Sequence, residues 1–195
     1  MVNRPLRADA ERSVRAILVA AEQILRTDPG ATMEQIAEAA GVARTTVHRR
    51  FATREALLKA LTKSVADRFA EAIDAAQTDT APPVVALYQA AANVLRVKVD
   101  WTYTMSRVSE DVEVRGVYDH AMNQCEQVLR RARDNGLLRP DVDIVWASRV
   151  YTALVREAAD DALAGEDLTD EAIAERASRV LDTLLKGVGT ARAQI

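Results

Sequence analysis

The sequence predicts an all-α protein of about nine helices. Apolar residues recur at three- and four-residue spacing along nearly the whole chain of 195 residues, and no convincing run alternates with the period of two that marks a strand. Charge divides unevenly: residues 1–64 carry 11 basic and 7 acidic side chains, whereas residues 65–195 carry 15 and 22. A basic N-terminal part on a chain of net charge −3 predicts two regions with different partners.

Local signals define the first four helices. The sequence Asp28-Pro29-Gly30 ends the first. Thr32, with a glutamine three residues later, forms a capping box for a short second helix, and Gly41 makes the turn into the third. Thr53 is the predicted N-cap of a long fourth helix.

Proline and glycine mark the later breaks. Pro82-Pro83 lies at the start of a fifth helix, where a missing N–H costs little. Asn135-Gly136 closes a later helix before Pro140, and Gly165 separates the last two.

The stretch from Gly41 to Arg54 carries the strongest functional signal. Two short helices joined by a tight turn that contains glycine form a helix-turn-helix unit, whose second helix enters the DNA major groove. Between Glu38 and Glu55 lie four arginines and no acidic residue. Four arginines on a surface helix are often only a solvated face, but their order together with the turn glycine favours DNA binding.

The second helix of this unit has an apolar back and a polar front. At about 100° per residue, Val47 and Phe51 lie on one side and seat the helix. The polar residues occupy the first turn, the flanks and the opposite face, where a groove-reading helix needs them. With Thr32, the predicted DNA-binding residues are Arg44, Thr45, Thr46, His48, Arg49 and Arg54.

This segment resembles the TetR family of bacterial transcription regulators. The run from Thr32 to Val42 is similar to the family's second helix and turn, and Thr45–Phe51 to its recognition helix. Thr53–Leu58 resembles the start of its fourth helix. The resemblance covers about residues 13–62, and the rest of the chain matches only as a helical body of suitable length.

The resemblance implies a role for several of these residues. Thr46 stands where a threonine lies near the DNA backbone, and His48 where a tyrosine usually contacts a phosphate. Arg54 takes the place of a lysine that binds phosphate. Ala43 replaces a frequent serine, so a helix cap and a possible phosphate contact are missing.

The resemblance also implies a partner set and a division of the chain. It implies a homodimeric repressor on a near-palindromic double-stranded operator, released by a small molecule. Residues 1–55 would form the DNA-binding domain, and residues 56–195 the effector-binding and dimerisation domain. The last two helices would form the dimer interface through an apolar stripe, predicted as Val150, Leu154, Leu181, Leu184, Leu185 and Val188.

Aromatic residues concentrate in the C-terminal region, six of the eight lying between residues 88 and 151. Helical bundles hold small molecules in apolar pockets with a few polar groups, although such side chains equally often fill a core. The predicted pocket residues are Tyr88, Trp101, Tyr103, Met105, Tyr118, His120, Met122, Trp146 and Tyr151. The predicted effector is apolar and aromatic or polycyclic. Nearby acidic residues are compatible with a cationic group on it, namely Asp100, Glu110, Asp111, Glu113 and Asp119.

Other function classes find little support. The two histidines and the single Cys125 supply no metal-ligand set, no phosphate-cradling glycine loop is present, and no catalytic residue or cofactor is predicted. The chain has no membrane-length apolar run and no secretory signal, and its single cysteine is compatible with a reducing cytosol, so we expect a cytoplasmic protein. The main alternative is a DNA-binding module that responds to a protein partner or to no ligand. A small helical enzyme is a distant third.

Overall fold

The computed structural model describes residues 4–97, 111–164 and 169–188, with side chains over 9–97, 111–161 and 169–187. These ranges hold eight helices and no strand, which confirms the all-α prediction. The predicted count of about nine also depends on residues 98–110, which lie outside the described ranges. The helices are α1 Arg4–Thr27, α2 Met33–Ala39, α3 Arg44–Arg50, α4 Arg54–Asp74, α5 Pro83–Val97, α6 Val112–Asp134, α7 Ile144–Ala164 and α8 Asp170–Val188.

The chain divides into two compact units, Met1–Val65 and Ala66–Ile195, and the division falls within α4. The functional boundary at residue 55 stays a prediction. Across the described residues, no helix combines the length and the apolar composition that a bilayer crossing requires.

The first unit is a three-helix arrangement in which α1, α2 and α3 contact one another, with the first part of α4. Its core consists of apolar residues at helical spacing, each almost fully buried: Ile17, Ala21, Leu25, Ile36, Val47, Leu57 and Leu61.

The second unit is built around α5. This helix contacts α6, α7 and α8, and α8 also packs on α7. The side of α5 that faces its neighbours is rich in alanine, which lets helix axes approach closely. Its buried residues are Pro83, Ala86, Leu87, Ala90, Ala91, Ala92, Val94 and Leu95.

A single guanidinium holds the connection between α4 and α5. Arg131 of α6 donates from Nη1 to the carbonyl oxygens of Thr78, at 3.0 Å, and Asp79, and from Nη2 to that of Ala81. Arginine suits this task because its donors are fixed in one plane.

Candidate nucleic-acid interface

The turn between α2 and α3 has the geometry that the sequence predicts. Thr32 Oγ1 accepts a hydrogen bond from the Gln35 amide at 3.3 Å, and Gln35 Oε1 accepts one from the Thr32 amide at 2.8 Å. At the other end of α2, Gly41 adopts a φ of +65°. Its amide donates to the Glu38 carbonyl, and the next amide donates to the Ala37 carbonyl. These two bonds form a Schellman motif, which requires a left-handed residue and so favours glycine.

The capping predictions at the next two helices are confirmed. Ala43 precedes α3 and provides no side-chain hydrogen bond to its N-terminus. Thr53 precedes α4, and its Oγ1 accepts from the Ala56 amide at 3.1 Å. The first amides of α3 therefore receive no side-chain cap, whereas the Ala56 amide at the start of α4 does.

The faces of α3 are arranged as the helical spacing predicts. Val47 and Phe51 are buried against the rest of the unit. Thr46 is half-buried, while the polar residues Arg44, Thr45, His48 and Arg49 are exposed. The helix thus presents an apolar back and a polar front.

A carboxylate of α2 joins this polar front. Glu34 Oε1 lies 2.7 Å from Arg44 Nη2 and 3.8 Å from His48 Nε2. The pKa of the Glu34 carboxyl is lowered, first by a hydrogen bond from its own backbone amide and further by the charges of Arg44 and His48. Glu34 was not among the predicted residues, since an acidic side chain is not an expected ligand of DNA. The ion pair joins residues ten apart in sequence, across a turn.

Arg54 has partners within the protein. Its Nη2 donates to the Pro29 carbonyl at 2.6 Å and its Nε to the Ala31 carbonyl at 3.3 Å. The guanidinium therefore ties the start of α4 to the turn between α1 and α2. Its predicted role as a phosphate ligand stays a prediction, and a phosphate would share a group already engaged by two carbonyls.

The second unit contains a narrow apolar cavity of about 40 Å³. Four helices line it: α4, α5, α6 and α7. The lining residues are Phe69, Ile73, Ala90, Val94, Tyr118, Ala121, Met122, Cys125, Tyr151, Thr152 and Val155. Three of the predicted pocket residues, Tyr118, Met122 and Tyr151, meet there.

Two hydroxyls of the cavity wall have partners in the protein. The Tyr151 hydroxyl donates to the Leu87 carbonyl at 2.6 Å, and burial raises the pKa of Tyr151 well above its ordinary value. Thr152 Oγ1 bonds to the Ser148 carbonyl at 2.8 Å. Cys125 faces the cavity among apolar groups, and burial, with the neighbouring Glu126 adding to it, raises its pKa to about 12. The wall therefore presents mainly apolar surface.

Several predicted pocket residues lie elsewhere. Trp146 is 56% exposed on the first turn of α7, so it is a surface residue and not a cavity wall. His120 is exposed on α6, where its ring bonds to Gln124 at 2.7 Å. Tyr88 is half-buried away from the cavity. Trp101, Tyr103 and Met105 lie outside the described residues.

The predicted acidic neighbours of the pocket do not line it either. Asp111 caps α6 by accepting hydrogen bonds from the amides of Glu113 and Val114. Glu113 and Asp119 are exposed on α6. Asp100 and Glu110 fall outside the described residues.

The predicted dimer stripe requires a correction. Leu181 and Leu184 are each 1% exposed and Leu185 is buried as well, so these side chains belong to the core of the second unit. An amphipathic helix covers its apolar stripe with the nearest apolar partners, which for α8 are α5 and α7. Val150 and Leu154 of α7 are half-buried. Nothing is described of the Val188 side chain.

A groove of about 280 Å³ lies instead between the outer sides of α7 and α8. Its residues are Leu154, Glu157, Ala158, Asp161, Arg176, Arg179, Val180 and Thr183. Acidic side chains come from α7 and basic ones from α8, and Arg176 pairs with Asp161 at 3.3 Å.

Comparison with known proteins identifies the family. Residues 17–61 match the model of bacterial regulatory proteins of the tetR family. The chain is 34% identical over 176 residues to LfrR, an HTH-type transcriptional repressor of Mycolicibacterium smegmatis, covering 88% of this chain and 92% of LfrR.

Solved structures agree. The crystal structure of LfrR from Mycobacterium smegmatis in complex with proflavine has a TM-score of 0.72 and 30% identity, over 92% of this chain and 98% of that one. The ketosteroid regulator KstR2 of Mycobacterium tuberculosis shares the fold, with a TM-score of 0.76 and 17% identity over 91% and 95% of the two chains. The chain therefore belongs to the TetR family and is a DNA-binding transcriptional regulator.

Proposed function

We propose that this protein is a cytoplasmic homodimeric repressor that a planar aromatic cation releases from a near-palindromic operator. The observation that carries the DNA-binding part is α3, whose buried back and exposed polar front match a helix that reads the major groove. The exposed Arg44, Thr45 and Arg49 would contact base edges. Thr32, Thr46 and His48 would contact phosphates, since they lie at the helix ends or on its flanks.

Two features support an aromatic effector. The cavity wall combines the ring of Tyr118 with those of Phe69 and Tyr151, and Met122 adds a polarisable thioether. The relative LfrR has been solved with proflavine, a flat tricyclic cation. None of the eleven residues that line the cavity is acidic, so ring faces would meet the positive charge through cation–π contacts.

The cavity is smaller than the ligand it is proposed to take. Pockets for drug-sized molecules span about 300–1,000 Å³, against about 40 Å³ here. Binding must therefore widen the space between the helices, and the effector stabilises that wider state. The effector causes release only to the extent that it binds the DNA-incompetent state more tightly than the DNA-competent state.

The groove between α7 and α8 supports the homodimer. Leu154, Ala158 and Val180 give it an apolar floor, and its walls carry opposite charges on the two helices. A two-fold interface requires such a self-complementary surface, because the same surface of both subunits forms the contact.

Selection of duplexes from a random pool tests the DNA-binding part. We expect enrichment of a near-palindrome with half-sites about one helical turn apart or a multiple of it. With about four cationic phosphate contacts per subunit, the log–log salt slope should be roughly −7. Absence of any enriched duplex at moderate salt would contradict the proposal.

Proflavine itself is the probe for the effector part. Since it also binds DNA, its affinity for the protein is measured without DNA by equilibrium dialysis. Tyr118→Ala should weaken that binding and the release of the duplex together, while leaving DNA affinity without proflavine unchanged. Tyr88→Ala is the matched control, because Tyr88 is half-buried but does not line the cavity. Equal effects of the two variants would contradict the cavity as the effector site, and absence of proflavine binding by the wild-type protein would favour a regulator that responds to a protein partner or to no ligand.

A further inference from the structure

We infer that Glu34 is a positioning residue that sets the base specificity of α3 by holding Arg44. The inference rests on the proposed function, since it concerns how the same interface selects its DNA. The positive charge of the interface would not by itself predict this role for Glu34, because an acidic side chain there weakens binding to phosphates.

The geometry places one carboxylate against two residues of the recognition helix. Arg44 and His48 are four residues apart, so they lie on one face of α3. Glu34, from the first turn of α2, reaches both, with the shorter contact to Arg44 Nη2 at 2.7 Å. All three side chains are between 43% and 67% exposed, so the pair is accessible to a ligand.

The contact leaves Arg44 able to read a base. A guanidinium has five N–H donors in one plane. The bond to Glu34 uses a donor of Nη2, so Nη1 and the remaining hydrogen of Nη2 stay available for the two acceptors of a guanine edge. A long side chain that is already held in place loses less conformational freedom when it binds.

The same carboxylate opposes binding in the wrong position. Free arginine binds any phosphate, and such contacts supply most non-specific affinity. A carboxylate beside Arg44 cancels its charge as seen from the DNA backbone and repels the phosphates themselves. Arg44 then contributes binding free energy mainly where it makes directed hydrogen bonds to a base. Specificity rises because binding to other duplexes is weakened.

A double-mutant cycle tests this inference on the duplex selected by the wild-type protein. Affinities are measured for that duplex, for its single base-pair variants and for a scrambled duplex of equal length. Glu34→Gln should raise affinity for the scrambled duplex and lower the specificity ratio about 5- to 10-fold, with the loss at the base pair that faces Arg44. In an Arg44→Ala background, the same change should alter the ratio less than about twofold.

Glu38→Gln is the matched control. It removes one negative charge from the same helix, and Glu38 forms no ion pair among the described residues. It should leave base preference unchanged, and thermal melting should show that each variant is folded. Identical effects of Glu34→Gln and Glu38→Gln, or an undiminished effect of Glu34→Gln without Arg44, would overturn the positioning role while the proposed function stands. Failure to enrich any duplex would overturn both.

Discussion

The two units of this protein differ in where their functional groups lie. In the first unit the polar side chains of α3 project outward from a short segment whose spacing is visible in the sequence. In the second unit the candidate binding surface is a cavity between helices, and the Tyr151 hydroxyl in its wall donates to the Leu87 carbonyl. The candidate DNA-reading residues are therefore exposed on one helix, whereas the candidate effector cavity lies between four helices.

The largest expected effect comes from Leu184→Glu. This variant places a carboxylate in the core of the second unit, where the leucine is 1% exposed. The lost burial costs about 1.5–3 kcal/mol, and an unpaired buried charge costs several more. We expect loss of cooperative melting by circular dichroism.

Thr183→Glu is the control for that variant. Thr183 neighbours Leu184 but is exposed in the groove between α7 and α8, near the acidic Glu157 and Asp161. This variant should fold normally and weaken dimerisation in sedimentation. A folded, monomeric Leu184→Glu protein would instead support the dimer interface predicted from the sequence.

The next effect concerns the reactivity of Cys125. Burial raises its pKa to about 12, so the thiolate fraction at pH 8 is far below that of the unfolded chain. Alkylation of the native protein should therefore be far slower than that of the unfolded chain, and the single cysteine makes the readout clear. For the same reason the free energy of unfolding should fall between pH 9 and pH 12, where only the unfolded chain loses the proton. Equal alkylation rates in both states would mean that the cavity is open to solvent.

Two arginine variants distinguish base recognition from structural support within the first unit. Arg44→Ala should reduce discrimination at one base pair by about 1–3 kcal/mol. Arg54→Ala should weaken binding to all duplexes and also lower the melting temperature, because its two carbonyl partners lose their donors. Binding to a panel of duplexes, with melting curves, distinguishes the two. A melting temperature unchanged by Arg54→Ala would leave phosphate binding as its main role.

The smallest expected effect is a gain in the stability of the protein. Ala43→Ser supplies the side-chain cap that α3 lacks, and such a cap is worth about 0.5–2 kcal/mol. The melting temperature should rise by a few degrees with no change in base preference. A matched Ala52→Ser change, in the exposed turn after α3, should have no such effect.

Local features could be predicted from the sequence because the groups involved lie within a few residues of each other. The caps at Thr32 and Thr53 and the left-handed Gly41 are of this kind. The ion pair of Glu34 and the carbonyl contacts of Arg54 join residues that only the fold brings together. Leu184 shows a second limit: periodicity reveals an apolar face, but not whether the same chain or a second copy covers it. Trp146 shows the reverse, a large ring that stays at the surface.

The clamp formed by Arg131 bears on where the cavity opens. Because one guanidinium holds three carbonyls of the segment before α5, that segment is unsuited to be a hinge, which must change its backbone angles freely. Tyr118 lies 13 residues earlier on α6, about 20 Å away along the helix axis. When the proposed effector binds, we therefore expect the cavity to stay fixed at the end near Arg131 and to widen at the end near Tyr118. Hydrogen exchange with and without proflavine should change in the first half of α6 and remain constant over residues 75–82.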